Sequence, residues 1–247
     1  MNVRRFGDSE ALARGAAEAV VGALRAAIAE RGVATIALAG GDTPRRMYEQ
    51  LAAQRELDWD RVEFFWGDER PVPPEHPDSN FAMAAAALLR PLGIDPHRIH
   101  RIEGERGDLA AAARDYEEEL AQTCGEPDGR PPVLDLVLLG MGGDGHTASL
   151  FPDTAALSEA RRWVLANEVP QLSTRRITIT FPLIERARAT LVLVTGASKA
   201  GVLAEVLEGP LDPQRPPSQR LRGLASVEWL VDGAAASHLR GAGQGES

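Results

Sequence analysis

The sequence predicts an α/β fold in which a mostly parallel β-sheet has helices on both faces. Short apolar runs alternate with amphipathic segments along the chain, as expected for parallel strands joined by helical crossovers. The most apolar run, Leu134–Leu139, is continuous rather than alternating, which is typical of a strand buried on both faces. Apolar runs also end in glycine, at Gly40 and Gly67, where a strand turns into its connection.

Helices are predicted where apolar residues recur with helical spacing. The first, Ser9–Arg31, has apolar residues at every fourth position, candidate N-caps at Asp8 and Ser9, and a stop at Gly32. The second begins at Pro44, because proline is favoured in a first helical turn. The later helices are predicted over Pro44–Gln54, Asn80–Leu89, Leu109–Thr123 and Ala197–Leu207.

Strands are predicted over the short apolar runs between these helices. They are Thr35–Ala39, Val62–Trp66, Leu134–Leu139, Ile177–Phe181, Leu191–Val194 and Val227–Val231. The proline-containing segments 126–132 and 210–217 are predicted to be loops, and the tail 241–247 is expected to be disordered. Without a repeat or a long linker, we expect one α/β domain over residues 1–240, with room for a small subdomain.

Length and composition exclude several classes of protein. The chain has 247 residues, and its single cysteine, Cys124, cannot form an intrachain disulfide. No apolar run reaches about 18 residues, and the start lacks the apolar core of a signal peptide, so we expect a cytoplasmic protein. The net charge of −9 argues against nucleic acid or an anionic membrane as the main partner. A small anionic ligand remains compatible with this charge, and so does either a monomer or a homodimer.

Ligands of parallel sheets bind beyond the carboxyl ends of the strands, so the segments that follow the strands are the candidate sites. The first, Gly40-Gly41-Asp42-Thr43, lies between a strand and a helix. Its glycines would let backbone N–H groups approach a phosphate at a helix N-terminus. A tight turn with a capping Asp or Thr is the alternative interpretation. No Gly-Lys-Ser/Thr follows, so the segment is not a Walker loop.

The second segment is Gly67-Asp68-Glu69-Arg70, which directly follows the strand Val62–Trp66. Two acids and an arginine at a strand end could bind sugar hydroxyls, bind a metal or form surface ion pairs. The residue types alone leave these three interpretations open.

The third segment, Gly140–Thr147, follows the most apolar strand and holds four glycines around Asp144 and His146. Its glycines formally match the dinucleotide-binding pattern G-x-G-x-x-G. We reject that interpretation because Pro152 prevents a helix of useful length and because the segment lies more than halfway along the chain. A glycine-rich loop after a buried strand instead favours a backbone shaped to present the imidazole, which is a suitable base near neutral pH.

Two cationic segments complete the candidates. Arg175 and Arg176 stand at the start of a predicted strand. Lys199 is the only lysine in the sequence, and it opens a predicted helix after Leu191–Val194. A cation at a helix N-terminus opposes the helix dipole unless an anion also binds there, so Lys199 is a candidate phosphate ligand.

Taken together, these segments resemble the 6-phosphogluconolactonases of the oxidative pentose phosphate pathway, a family related to the glucosamine-6-phosphate deaminases. The resemblance extends from about residue 10 to residue 232. The matching pieces are AGGDTP (39–44), WGDERPVPPEHPDSNF (66–81), LDLVLLGMGGDGHTASLFP (134–152), RITITFP (176–182) and GASKA (196–200). The piece GMGGDGHTASLFP is highly specific, whereas AGGDTP and GASKA are weak alone.

The resemblance implies a Rossmann-like fold and hydrolysis of 6-phosphogluconolactone to 6-phosphogluconate, without cofactor or metal. By position, it makes His146 the catalytic base, oriented by Asp144, and places Asp68 and Arg70 at the sugar. The residues expected to hold the 6-phosphate are Gly40, Gly41, Asp42, Thr43, Arg176 and Lys199. The candidate donors to the oxyanion are the N–H groups of Gly142, Gly143 and Gly145, or Arg70.

The sequence departs from the family pattern at Asp42, and other functions remain as alternatives. Asp42 stands where the family usually has serine, so we expect its N–H to contact the phosphate while its side chain caps the helix. A related deaminase or isomerase is disfavoured because Phe151 stands where that branch carries a glutamate. A non-catalytic sugar-phosphate-binding protein is a second alternative. A metal-dependent hydrolase is a third; its candidate ligands are Asp68, Glu69, Asp144 and His146.

Overall fold

The structure, a computed structural model, describes residues 2–54, 56–125, 129–212 and 216–240. In chain order the strands are β1 (Asn2–Phe6), β2 (Ala34–Leu38), β3 (Val62–Trp66), β4 (Asp68–Glu69), β5 (Leu136–Gly140), β6 (Val164–Val169), β7 (Thr174–Ile179), β8 (Ala189–Val194) and β9 (Val227–Asp232). Six of them form a parallel sheet in the order β1-β9-β8-β5-β2-β3. The predicted mostly parallel α/β fold is confirmed.

The helices connect these strands. They are α1 (Ser9–Arg31), α2 (Asp42–Leu51), α3 (Asn80–Ala84), α4 (Arg90–Leu92), α5 (Leu109–Cys124), α6 (Phe181–Ile184) and α7 (Ala200–Glu208). A π-helical turn joins α3 to α4. Two predicted loops include residues 126–128 and 213–215, which, like the tail from Gly241, lie outside the described residues. No described helix is both long and apolar enough to cross a membrane.

The first helix shows how local sequence sets an element. The Asp8 side chain accepts hydrogen bonds from the N–H groups of Glu10 and Ala11, and Gly32 ends the helix with φ of 81°. The apolar stripe of α1 is buried against the sheet, with Leu12 and Leu24 fully buried. Burying such a leucine contributes about 2 kcal/mol, so this face fixes α1 on the sheet.

A second, three-stranded antiparallel sheet in the order β4-β7-β6 was not predicted. The strand expected over Ile177–Phe181 is β7, which belongs to this second sheet and ends at Ile179, while Phe181 begins α6. β6 and β1 were missed because polar or charged residues interrupt their apolar pattern. Buried apolar side chains of both sheets nevertheless belong to one continuous core.

The parallel register brings the carboxyl ends of β8, β5, β2 and β3 to one edge of the main sheet. The second sheet joins this edge through Gly67, whose N–H donates to Leu38 O at 2.8 Å and whose carbonyl accepts from Ile179 N at 2.8 Å. The Tyr48 hydroxyl fixes the start of the next connection by bonding both N and O of Ala39 at 2.9 Å. The segments after four strands therefore meet in one place.

Away from that edge, His100 lies between two carboxylates. Its Nδ1 is 2.7 Å from Glu119 Oε1, and its Nε2 is 3.0 Å from Glu63 Oε2. The ring also stacks on Phe65, with centroids 4.5 Å apart. Burial disfavours the charged imidazolium, but hydrogen bonds to Glu119 and Glu63 outweigh it and raise the pKa of His100 above its usual value.

We predict that His100 stabilises the fold in a pH-dependent way. Its contribution is complete below the pKa of the unfolded chain and is lost as the pH rises through the raised pKa of the folded state. The difference in unfolding free energy between the wild-type protein and His100→Gln, measured by urea denaturation, should be larger at about pH 6 than at about pH 9. A difference that does not change with pH would contradict this assignment.

Candidate active site

A cavity of about 340 Å³ opens at the edge where the four strand ends meet. Its walls come from the segments after β2, β3, β5 and β8 and from the turn between β6 and β7. The polar and aromatic residues that line it are Asp68, Arg70, His146, Ser149, Phe151, Arg176 and Lys199, beside Gly40, Gly41 and Gly142. The structure thus brings together residues from all five candidate segments of the sequence.

His146 and Asp144 form a hydrogen-bonded pair at the cavity. His146 Nδ1 lies 2.5 Å from Asp144 Oδ1, which also accepts the backbone N–H of His146 at 3.1 Å. Burial opposes ionisation of Asp144, but its bonds and attraction to His146 prevail and lower its pKa to about 2. An ionised carboxylate can only accept hydrogen bonds, so the proton of this bond lies on Nδ1, and Nε2 makes no hydrogen bond within the described part of the chain.

The loop around this pair is closed by its own backbone. Gly142 N donates to His146 O at 2.8 Å, and Gly145 N donates to Gly142 O at 3.1 Å. An ideal Cβ at Gly142 would lie 2.1 Å from the His146 ring, so only glycine fits beneath the imidazole. Gly145 has φ of 77°, which also favours glycine. The glycines therefore shape the loop that presents His146.

This geometry corrects part of the predicted oxyanion site. The N–H groups of Gly142 and Gly145 already donate within the loop, so they are not available to a ligand. The Gly143 N–H makes no backbone hydrogen bond to any residue that the structure describes. Gly143 also lies beside Lys199: a Cβ atom added at Gly143 would be 3.7 Å from Lys199 Nζ. Of the three glycines, only Gly143 keeps its N–H available.

Phe151 packs directly on the His146 ring. The two ring centroids are 4.0 Å apart, the planes are inclined by 27°, and Phe151 is buried. The imidazole is therefore held on one side by the Phe151 ring and at Nδ1 by Asp144. Phe151 also places an apolar side chain, which cannot exchange protons, next to the candidate base.

Three cations face the cavity. Arg70 is held by a 2.5 Å bond from its Nη1 to Asp78 O, and Arg176 by a 2.8 Å bond to Thr174 Oγ1. Burial and the neighbouring Arg70 guanidinium lower the pKa of Arg176 from its usual value. Lys199 makes no ion pair within the described part of the chain. A protein with a net charge of −9 thus concentrates positive charge at one cavity.

The side chains of two predicted phosphate ligands, Asp42 and Thr43, have partners within the protein. The helix α2 begins at Asp42 rather than at Pro44, with Gly41 as its N-cap, so the expectation that the Asp42 side chain caps the helix is wrong. That carboxylate is 89% exposed and reaches Arg45 Nη2 at 3.5 Å. Thr43 Oγ1 is 2.6 Å from Thr195 Oγ1. The backbone N–H groups of this first turn can also donate to an anion.

The two acids after β3 have different environments. Asp68 lines the cavity and accepts hydrogen bonds from Asn80 Nδ2 at 3.0 Å and Ser149 Oγ at 2.6 Å. Glu69 is directed away and accepts four hydrogen bonds, from the N–H groups of Arg70, Asn80 and Phe81 and from Ser79 Oγ. Burial raises the pKa of Glu69, although these bonds oppose the change. Glu69 therefore anchors the start of α3.

Sequence reasoning did not identify Asn80 and Ser149 as parts of this site. Both side chains are almost fully buried, at 2% and 1% exposure. Asn80 stands at the start of a predicted helix, and Ser149 gave no separate signal. As for the metal-dependent alternative, no group of three or more His, Cys, Asp or Glu side chains in the described ranges is arranged to hold a metal ion.

Comparison with known proteins gives consistent results. The family model of "glucosamine-6-phosphate isomerases/6-phosphogluconolactonase" matches residues 7–229. The chain is 45% identical over 215 residues to a 6-phosphogluconolactonase of Synechocystis sp., covering 87% of this chain and 88% of that protein. The solved 6-phosphogluconolactonase of Trypanosoma cruzi superimposes with a TM-score of 0.84 at 31% identity, covering 97% of each chain.

A solved monomeric glucosamine-6-phosphate deaminase is also similar. Its TM-score is 0.79 at 25% identity, with 96% of this chain and 100% of that chain covered. The shared fold therefore spans proteins of two different activities, and the details of the site must separate them.

We predict that Gly142→Ala displaces the His146 imidazole, because the added Cβ would lie 2.1 Å from the ring and 2.7 Å from Asp144 Oδ1. In proton NMR spectra, the low-field signal of the Nδ1–H shared with Asp144 should disappear in this variant. The matched control is Gly143→Ala, because the nearest atom to its new Cβ is 3.7 Å away, and this variant should keep the signal. An unchanged signal in folded Gly142→Ala would contradict the described loop.

Proposed function

This chain belongs to the glucosamine-6-phosphate isomerase/6-phosphogluconolactonase family, and we propose that it is a 6-phosphogluconolactonase of the oxidative pentose phosphate pathway. It hydrolyses 6-phospho-D-glucono-1,5-lactone to 6-phospho-D-gluconate, without a metal or cofactor, as a cytoplasmic enzyme. The observation that carries this proposal is the 2.5 Å pair of Asp144 and His146 at a cavity lined by three cations. A neutral imidazole base beside an anion-binding wall suits a phosphorylated ester substrate.

The phosphate is the handle by which the substrate is positioned. It carries a charge of about −1.5 to −2 near neutral pH, which Arg176 and Lys199 neutralise. Backbone N–H groups at Gly40, Gly41 and the first turn of α2 add donors aligned with the helix dipole. Asp42 does not repel the phosphate, because its carboxylate is exposed and directed towards Arg45. The binding energy at this distal group holds the lactone carbonyl near His146.

His146 activates the water. As the water oxygen bonds to the lactone carbonyl carbon, His146 Nε2 takes one of its protons, and the ionised Asp144 stabilises the imidazolium that forms. The carbonyl π electrons move to the carbonyl oxygen and create a negative charge there. The Gly143 N–H and the Arg70 guanidinium are the donors available to this oxyanion.

Ring opening then completes the reaction. The oxyanion re-forms the carbonyl, and the bond between the carbonyl carbon and the ring oxygen breaks. The His146 imidazolium protonates the departing ring oxygen, so the water is divided between a carboxylic acid and a hydroxyl group. No covalent bond to the protein forms, and the imidazole returns to its neutral state. Asp68 accepts a hydrogen bond from a hydroxyl of the sugar during these steps.

The related deaminase activity is the alternative. It would require a proton-transferring group where Phe151 stacks on His146, and the phenyl ring provides none.

A non-catalytic sugar-phosphate-binding protein is the other alternative. The orientation of His146 through Nδ1, which leaves Nε2 without a partner in the described residues, favours catalysis over binding alone.

We predict strong acceleration of acid release from freshly generated 6-phosphogluconolactone at slightly acidic pH, and no ammonia release from glucosamine 6-phosphate. His146→Ala should lower kcat by about 10²–10⁴-fold, which is the usual weight of general acid–base catalysis. Ammonia release would favour the deaminase. Binding of 6-phosphogluconate without turnover would favour the non-catalytic sugar-phosphate-binding protein, and near-wild-type kcat in folded His146→Ala would contradict the assigned base.

For Lys199→Ala, we predict mainly a higher KM, by roughly tenfold, because one charge-assisted contact to the phosphate is lost in both the ground state and the transition state. The matched variant Lys199→Arg keeps the charge but replaces a compact ammonium with a bulkier fork, so it should recover only part of the affinity. Steady-state kinetics of both variants measures this difference. An unchanged KM in Lys199→Ala would refute the role of Lys199 as a phosphate ligand.

A further inference from the structure

Ser149 connects two walls of the cavity that come from distant parts of the chain. It follows His146 by three residues, and its side chain is buried at 1% exposure. Its hydroxyl donates to Asp68 Oδ2 at 2.6 Å across 81 positions of sequence. The segment that presents the base is thereby tied to the segment after β3.

The backbone of Ser149 is held on both sides by the second sheet. Its N–H donates to Thr178 Oγ1 of β7 at 3.1 Å, and its carbonyl accepts from Asn167 Nδ2 of β6 at 2.9 Å. Asn167 and Thr178 are both buried. These bonds fix the position from which the hydroxyl reaches Asp68, so Ser149 is not free to follow a displaced carboxylate.

The other oxygen of Asp68 is held in the same way by Asn80. The Asn80 side-chain amide donates to Asp68 Oδ1 at 3.0 Å. Asn80 Oδ1 also lies close to Gly40, because a Cβ atom added at Gly40 would be 1.9 Å from this oxygen. Neutral donors on both sides therefore orient the Asp68 carboxylate, and no arginine or lysine of the described ranges forms an ion pair with it.

We propose that Ser149 is a positioning residue that acts through Asp68: its hydroxyl fixes the Asp68 carboxylate in the orientation that accepts a hydroxyl of the bound sugar. This inference rests on the proposed lactonase activity. Because a carboxylate held by two donors keeps lone pairs for a third, Asp68 can bind the sugar without losing either Ser149 or Asn80. Without the serine hydroxyl, one carboxylate oxygen loses its only side-chain donor among the described residues, and the carboxylate can rotate.

Ser149→Ala tests the proposal by kinetics and by binding. Loss of one hydrogen bond to a charged group should reduce kcat/KM for 6-phosphogluconolactone by roughly tenfold to a hundredfold, mainly through a higher KM. The Kd of 6-phosphogluconate, measured by calorimetry, should rise by a similar factor. His146→Ala, by contrast, should lower kcat, so the division between KM and kcat separates positioning of the sugar from the chemistry.

Thr35→Val is the matched control. Thr35 is also buried, and its hydroxyl also donates to a carboxylate, Asp135 Oδ2, at 3.1 Å. This pair lies near the start of β2, at the opposite end of the sheet from the cavity. Thr35→Val should lower the unfolding temperature without changing KM or the Kd. If both variants changed KM equally, the effect would be general destabilisation and the proposal would be wrong.

A double-mutant cycle with Asp68→Ala tests whether Ser149 acts through Asp68. In the Asp68→Ala background, Ser149→Ala should change kcat/KM by less than about twofold, because the group it positions is absent. A full additive effect would overturn the proposal. Wild-type values of KM and Kd in the single variant Ser149→Ala would also overturn the proposal. This second test does not require the Asp68 variant to fold.

Failure of the proposed function has a different signature. A wild-type protein that binds 6-phosphogluconate but does not accelerate lactone hydrolysis would refute the lactonase, and the Kd of Ser149→Ala would still support or refute the positioning role. A wild-type protein that neither binds 6-phosphogluconate nor hydrolyses the lactone would overturn both. Normal hydrolysis by the wild-type protein together with an unaffected Ser149→Ala would overturn only the inference about Ser149.

Discussion

Parallel hydrogen bonding between β8, β5, β2 and β3 is the constraint on which the site depends. Because parallel neighbours all end at the same edge, the four segments that follow them must meet there. Those segments carry His146, Lys199, Asp68 and the glycines Gly40 and Gly41. A site assembled this way draws residues from distant parts of the sequence while each residue needs only a short connection from a rigid strand.

Electrostatics at this edge oppose the charge of the whole molecule. The chain is acidic, yet Arg70, Arg176 and Lys199 line one cavity, and Asp42 directs its carboxylate outwards. Burial and the neighbouring Arg70 guanidinium lower the pKa of Arg176, because both disfavour its charged form. In the proposed function, binding of the phosphate would offset this repulsion between Arg70 and Arg176.

The His146 ring is held by packing as well as by hydrogen bonds. Gly142 admits the His146 ring above its Cα, Phe151 covers one face of that ring, and Asp144 holds Nδ1. The second sheet extends this order to Asp68 through Ser149. Each neighbour restrains a different movement of the His146 ring, as the proposed role of a general base requires.

The sequence by itself determined the parallel α/β fold and the helix Ser9–Arg31 with its cap and stop. It also determined the candidate segments around His146, Asp68, Arg176 and Lys199. These features were accessible because periodicity, caps and glycine-rich turns are local signals. Only the tertiary structure decided which N–H groups stay available, where Asp42 points, that Glu69 anchors a helix, and that Ser149 and Asn80 hold Asp68. The second sheet also emerged only from the tertiary structure. Those features depend on contacts between residues far apart in sequence, which leave no periodic trace in either segment.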